Sequence, residues 1–327
     1  ELKWGQGAKD IGGEIQVTDL DYAVFLKNRG YIVDPDPTLP EVQQAFKSGA
    51  IRSFARHSRL GYTDLSNYDQ VRESFMTAIE ELRSKGYKRI TLKTGSYGME
   101  ALAMAIKFAT DAKLDLLTID GSGGGTGMSP WNMMETWGVP SILLHAKSYE
   151  YASILAQKGQ KVVDLAFGGG IAREDQMFKA LALGAPFAKM ICMGRATMIP
   201  GFLGANIEGV LKPERKAALS GNWNELAKSV AEIGTKPEEI FAGYYDVQKK
   251  VGASEMKNIP FGAIAIWTLC DKLAAGLQQL LAGARRFNIS EISRFDLTSG
   301  NRETERETGI PFITEVQDEA AKRLLNS

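Results

Sequence analysis

Between residues 88 and 195, short β-branched runs alternate with longer runs in which apolar residues recur every three to four positions, and nearly every short run ends in glycine. Strand, turn and helix repeated in this order predict an α/β fold with a parallel sheet. Strands are expected at Lys88–Thr94 (KRITLKT), Leu116–Asp120 (LLTID), Lys161–Ala166 (KVVDLA) and Ala188–Met193 (AKMICM). Helices are expected at Glu100–Ala112, Ser148–Gln157 and Gln176–Leu183, with a helix-like stretch over Trp131–Trp137. Upstream, Leu2–Gly5 reads as a strand and Gln70–Ser84 as an amphipathic helix, with the Pro-rich loop DPDPTLP at 34–40 between them. Ser53–Ala55 and Pro140–Leu144 are the remaining candidate strands.

Past residue 205 the pattern changes to charged, helix-forming segments at Pro213–Leu219, Glu225–Ile233, Pro237–Val251 and Leu273–Ala284. The run NRETERET at 301–308 reads as a solvated face or loop. The expected organisation is an α/β body over 1–204 and a helical C-terminal extension over 205–327 packed on it. The body is of (β/α)8 TIM-barrel type and begins mid-barrel, because five strands are secure where a barrel has eight. The missing strands then lie in preceding polypeptide or in a partner chain, and an open half-barrel favours association. The absence of Met at position 1 fits a fragment or processed chain.

Two glycine turns carry the clearest chemistry. Gly168-Gly169-Gly170-Ile171-Ala172-Arg173 ends one expected strand, and Gly194-Arg195 ends the next. Glycine lets main-chain N–H groups approach phosphate oxygens, a helix N-terminus adds positive potential, and arginine offers a fork of donors. In a (β/α)8 barrel the loops after the last two strands commonly hold a phosphate. The competing reading is that these glycines only make tight turns. A Rossmann sheet would use GSGGGTG at 121–127 alone, and explains one of the two loops.

Composition narrows the classes. The 39 basic and 39 acidic residues cancel, which disfavours nucleic acid or an anionic membrane as partner. Two cysteines, Cys192 and Cys270, build neither a disulfide framework nor a four-cysteine metal site, and fit a cytoplasmic setting. Two histidines, His57 and His145, leave little room for a histidine metal site or triad. His57 lies in a basic loop with Arg52, Arg56 and Arg59, which either faces an anionic carboxylate or is solvated surface. His145 and Cys192 both read as core residues. Trp131–Trp137, with Met133 and Met134, reads as packing beside the glycine loop.

On these residues the chain resembles the FMN-binding synthase domain of the glutamate synthase large-subunit family. The matching stretches are LKWGQGAK at 2–9, ITLKTGS at 90–96, IDGSGGGTGMSP at 119–130, FGGGIAREDQMFKALALGA at 167–185 and the Gly194-Arg195 pair, followed by the helical stretch at 273–297. The resemblance implies an FMN-dependent oxidoreductase that converts 2-oxoglutarate to glutamate through 2-iminoglutarate. It places Gln6, Lys93 and Ser96 at the flavin ring as catalytic or ring-binding residues. It places Gly121, Gly124 and Gly125 in a loop near the substrate, and Gly169, Gly170, Gly194 and Arg195 at the phosphate. A cation at Lys93 would stabilise the anion of reduced flavin.

The sequence departs from the family pattern in three ways. It lacks the three cysteines that ligate an iron–sulfur cluster, so no cluster is expected, no metal site is assigned, and electrons come from a donor subunit or a substrate. Gly123 and Phe167 stand where the family has acids. The chain also starts at the segment that earlier barrel strands precede in the family. The alternatives are the flavin subunit of an N-methylglutamate-synthase-type amine transferase, with a 2-oxoacid or amine substrate and a glutaminase-type or other partner subunit, and a non-catalytic flavin-barrel scaffold.

Overall fold

A computed structural model describes residues 1–4, 15–28, 31–57, 68–95, 98–124, 136, 138–215 and 223–327. They divide into two units, one of residues 1–170, 179–192 and 290–327, the other of residues 171–178 and 193–289. The expected boundary at 204/205 falls inside a helix, Arg195–Leu211.

Among the described residues the first unit holds eight strands: β1 (Leu2–Lys3), β2 (Ile15–Val17), β3 (Ile32–Asp34), β4 (Phe54–His57), β5 (Thr91–Thr94), β6 (Leu116–Asp120), β7 (Leu165–Gly168) and β8 (Ala188–Ile191). Five of them form a parallel sheet in the order β1-β5-β6-β7-β8, which contains every strand that periodicity makes secure. The other three form an antiparallel sheet, β2-β4-β3. Of the expected Ser53–Ala55, Phe54 and Ala55 are thus in a strand, but of this second sheet. Two helices, α1 (Leu20–Asn28) and α2 (Pro40–Lys47), belong to the same region, whose core is Val17, Ala23, Leu26, Val33 and Phe54 with Phe46 stacked on Phe54. Arg56 stacks on Tyr31, with its guanidinium 4.9 Å from the ring centroid.

Helix α3 (Tyr68–Ser84) buries Val71, Phe75, Ala78 and Ile79, spaced to lie on one face. Helix α4 (Met99–Asp111) buries Leu102, Ala105, Ile106 and Ala109 in the same way. Trp4, Phe75 and Phe108 meet in an aromatic cluster, with Trp4 5.1 Å from Phe75 and 5.9 Å from Phe108. Helix α5 (Ser141–Gln157) starts seven residues before the expected Ser148. This corrects the reading of Pro140–Leu144 as a strand: Pro140 is the N-cap, and its carbonyl accepts from the amides of Leu143 and Leu144. Trp131–Trp137 lies outside the described residues apart from Thr136.

The chain passes from one unit to the other within α6 (Glu174–Gly184). The second unit is helical: α7 (Arg195–Leu211), the short α8 (Lys228–Ala231), α9 (Pro237–Ile240), α10 (Tyr244–Val251) and α11 (Ala253–Met256), and α12 (Phe261–Gly283). Expected helices at Pro213–Leu219 and Glu225–Ile233 are shorter where described, and Pro237–Val251 is broken into two. Helix α12 begins twelve residues before the expected Leu273. Ile207, Phe241, Val247, Met256, Phe261 and Ile264 form the core. A Cβ on Gly204 would fall 2.5 Å from the Phe261 carbonyl oxygen, so α7 and α12 cross backbone to backbone. The buried Glu208 carboxylate accepts from the Phe261 amide at 3.0 Å and pairs with Arg215 at 3.1 Å, satisfying a first-turn donor of α12.

The charged run at 301–308 is not a loop but α13 (Arg302–Thr308), in the first unit, capped by Asn301 and ended by left-handed Gly309. It is followed by α14 (Asp318–Leu325). Among the described residues no helix is long and apolar enough to cross a membrane.

Candidate functional site

Strand alternation sorts the parallel sheet into two faces. Leu92, Leu117, Ile119, Leu165 and Phe167 are fully buried on one. Lys93 pairs in register with Thr118, and Asp120 with Gly168, so Lys93, Thr118, Asp120 and Gly168 share the other face at the strands' C-terminal ends. That edge of a parallel sheet is where ligands bind in α/β folds.

There Lys93 Nζ lies 3.2 Å from Asp120 Oδ2, with the two side chains 23% and 13% exposed. The β6 run LLTID is apolar up to its last residue, and a carboxylate there is tolerated because Lys93 faces it from the neighbouring strand. Cys192, one residue past β8, joins the same group. This corrects its reading as a core residue: it is half-buried, its amide donates to the Phe167 carbonyl, and its thiol interacts with Thr118, Lys93 and Asp120. Burial pushes the thiol up, opposed chiefly by the positive charge of Lys93 and then by the Thr118 hydrogen bond. The thiol therefore stays protonated at neutral pH and is not a thiolate nucleophile.

The loops after β6 and β7 dock against each other and against the start of α5. Ser141 Oγ lies 2.9 Å from the Ser122 carbonyl and 2.8 Å from the Gly169 carbonyl, and the Gly121 amide donates to the Gly168 carbonyl at 3.0 Å. A Cβ on Gly121 would fall 2.4 Å from Ser141 Oγ, and one on Gly124 2.3 Å from Asp120 Oδ1. Gly169 combines a φ of +110° with a Cβ position 2.3 Å from Ser141 Oγ and 2.6 Å from the Gly121 carbonyl oxygen. Glycine is thus required at these positions by the approach of one loop to the other.

Behind the loops, His145 on α5 is 2% exposed, stacks on Phe167 with ring centroids 4.0 Å apart, and has Nε2 3.1 Å from the Gly168 carbonyl. Burial pulls its imidazole down to about 4, against the raising effect of the Gly168 and Ile119 carbonyls, so it is neutral and supports the end of β7.

In the second unit, Gly194 is the N-cap of the 17-residue α7 and Arg195 its first residue. Among the described residues, no atom lies within 4 Å of a Cβ added at Gly194. A helix N-terminus that begins with Gly-Arg fits a phosphate, and a lysine at a strand's C-terminal end fits the anionic edge of a reduced flavin. In these two respects the residues are compatible with FMN. Gly169 and Gly170 belong to the first unit, Gly194 and Arg195 to the second. Gln6, Ser96 and Gly125 lie outside the described residues.

The sequence reading named Lys93 but missed Asp120, Ser141 and the site position of Cys192. The signal for Asp120 was a lone acid ending an apolar parallel strand. Ser141 and Cys192 carried none, since their places depend on which loops and strands meet.

No curated protein sequence matches the chain. Residues 62–204 match the family model described as a conserved region in glutamate synthase, and this span includes β5 to β8 and Lys93, Thr118, Asp120, Gly168 and Cys192. The chain therefore contains a glutamate synthase-like region, related to that family of oxidoreductases, and the strand-end cluster lies within it.

Proposed function

We propose that the chain is the FMN-binding portion of a glutamate-synthase-like oxidoreductase that forms glutamate from 2-oxoglutarate and ammonia through 2-iminoglutarate. The observation that carries this reading is the Lys93–Asp120 pair at the C-terminal edge of the parallel sheet, inside the matched region. FMN, when bound, supplies the hydride that reduces the imine carbon.

The chain's own residues prepare the site. Lys93 offers a fixed positive charge where negative charge develops on reduction, and Asp120 holds the ammonium in place. Cys192 remains a neutral thiol beside them, a weak hydrogen-bonding wall that adds no competing charge. Ser141 and His145 fix the glycine loops so that their backbone is organised before ligand arrives. The phosphate falls to Gly169 and Gly170 and to Gly194 and Arg195 by resemblance. Gln6, Ser96, Gly121, Gly124 and Gly125 complete the set by the same argument.

The same reading makes the sheet part of a (β/α)8 barrel. Five parallel strands in sequential order, ending at an edge strand whose Met190 is 55% exposed, support it, because all-parallel sheets are normally covered on both faces. The remaining strands come from further polypeptide or a partner subunit, and the chain self-associates or joins a larger assembly. Sedimentation as a monodisperse monomer would contradict that part of the proposal.

The reaction is tested by reducing the FMN-loaded protein anaerobically and adding 2-oxoglutarate with ammonium. Glutamate formation coupled to flavin reoxidation supports the proposal. Neither product nor reoxidation, with each substrate saturating, overturns it.

A further inference from the structure

The opposite end of the parallel sheet carries a second feature with no part in the proposed reaction. The loops that lead into β6 and β7, residues 110–115 and 160–164, border a cleft of about 720 Å³. β6 separates it from Asp120 by the length of the strand, roughly 13 Å at the usual rise per residue. Its floor is apolar and fixed: Thr110, Leu114 and Val163 are buried, and Thr110 Oγ1 accepts from the Val163 amide at 3.3 Å.

The charges around this floor are of two kinds. Asp111 is already neutralised, by Lys107 at 2.9 Å and Arg72 at 3.6 Å, and Asp115 Oδ2 accepts from the Ile90 amide at 2.8 Å. Lys113, Lys161 and Asp164 line the cleft without an ion pair or side-chain hydrogen bond among the described residues. Lys113 is held at a φ of +52°, a left-handed conformation few non-glycine residues adopt.

Two uncommitted ammonium groups and one uncommitted carboxylate define a charge complement. A simple cation would face the two lysines. A simple dicarboxylate would leave Asp164 unmatched. A molecule with two carboxylates and one ammonium matches all of them.

We propose that this cleft is a binding site for an acidic α-amino acid, with L-glutamate as the type ligand: its carboxylates on Lys113 and Lys161, its ammonium on Asp164. The inference stands on the charges of the cleft and not on the proposed reaction.

Isothermal titration of L-glutamate into the chain tests it, with glutarate, which lacks the ammonium, as the paired probe. Because the contacts are solvent-accessible, binding of order ~1 mM is expected. Lys113→Gln weakens it about tenfold, and Asp164→Asn weakens L-glutamate about tenfold while leaving glutarate unchanged or improved. Lys113 and Asp164 are at the surface, and circular dichroism of each variant verifies its fold. Absence of saturable heat overturns the proposal. So do binding that survives both cleft substitutions and glutarate binding as tightly as L-glutamate.

Discussion

The ammonium of Lys93 and the carboxylate of Asp120 lie 3.2 Å apart at the ends of adjacent parallel strands, each side chain mostly withdrawn from water. Removing one partner leaves the other partly buried and unpaired, which costs more than the pair contributes. Asp120→Asn is therefore expected to lower stability by about 2 kcal/mol in urea unfolding. The double variant Asp120→Asn/Lys93→Met should recover part of that loss. Equal stabilities of the single variant and the parent would show that the pair is solvated.

The two classes of glycine should separate cleanly. Gly169→Ala forces a Cβ against Ser141 and the Gly121 carbonyl at a φ of +110°, so a loss of about 3 kcal/mol or failure to fold is expected. Gly194→Ala meets open space at a φ of −113°, and its thermal midpoint should match the parent's. If Gly194→Ala proved as destabilising as Gly169→Ala, the space around Gly194 would not be open.

His145 links stability to pH. Its imidazole is held down at about 4 when folded, against an ordinary value of 6.5. Between these values the unfolded chain binds a proton that the folded one excludes. The stabilisation is thus complete above about pH 6.5 and is lost as pH falls toward 4, up to about 3 kcal/mol. The difference in unfolding free energy between the parent and His145→Gln, measured from pH 4.5 to 7.5, isolates this contribution from that of the carboxylates. A difference that does not change with pH would place a charged or solvated imidazole at the site.

Cys192 reports on the charge of Lys93. Burial raises the thiol and Lys93 opposes the shift. In a Cys270→Ser background, Lys93→Met should slow iodoacetamide alkylation of Cys192 at fixed pH, because it lowers the thiolate fraction. Faster alkylation would indicate that the lysine shields the sulfur rather than polarising it.

Elements governed by local periodicity were readable from the chain, and elements governed by distant partners were not. KRITLKT, LLTID, KVVDLA and AKMICM announce their strands because β-branched runs are bounded by turns. Strand β3, only three residues long beside a Pro-rich loop, carries no pattern of its own and exists through pairing with β4. Helix α5 reads from Ser148 onward, but its first two turns, SILLHAK, are apolar enough to pass for a strand until Pro140 is placed at the N-cap. The charged run at 301–308 lacks an apolar stripe and still forms a helix, because Asn301 caps it and Glu305 accepts from the Phe312 amide. In the site, Lys93 was legible through resemblance. Asp120 needed the register of β6 against β5, and Ser141 needed the meeting of two loops far apart in sequence.

The most direct measurement is an anaerobic FMN titration of the protein and of its Lys93→Met variant, followed by visible absorption through reduction and reoxidation. The account predicts saturable binding by the parent and an anionic reduced flavin, with Lys93→Met binding FMN more weakly and making its reduction harder. A parent protein that takes up no FMN, or a variant with an unchanged spectrum and reduction midpoint, would contradict the placement of the flavin at Lys93.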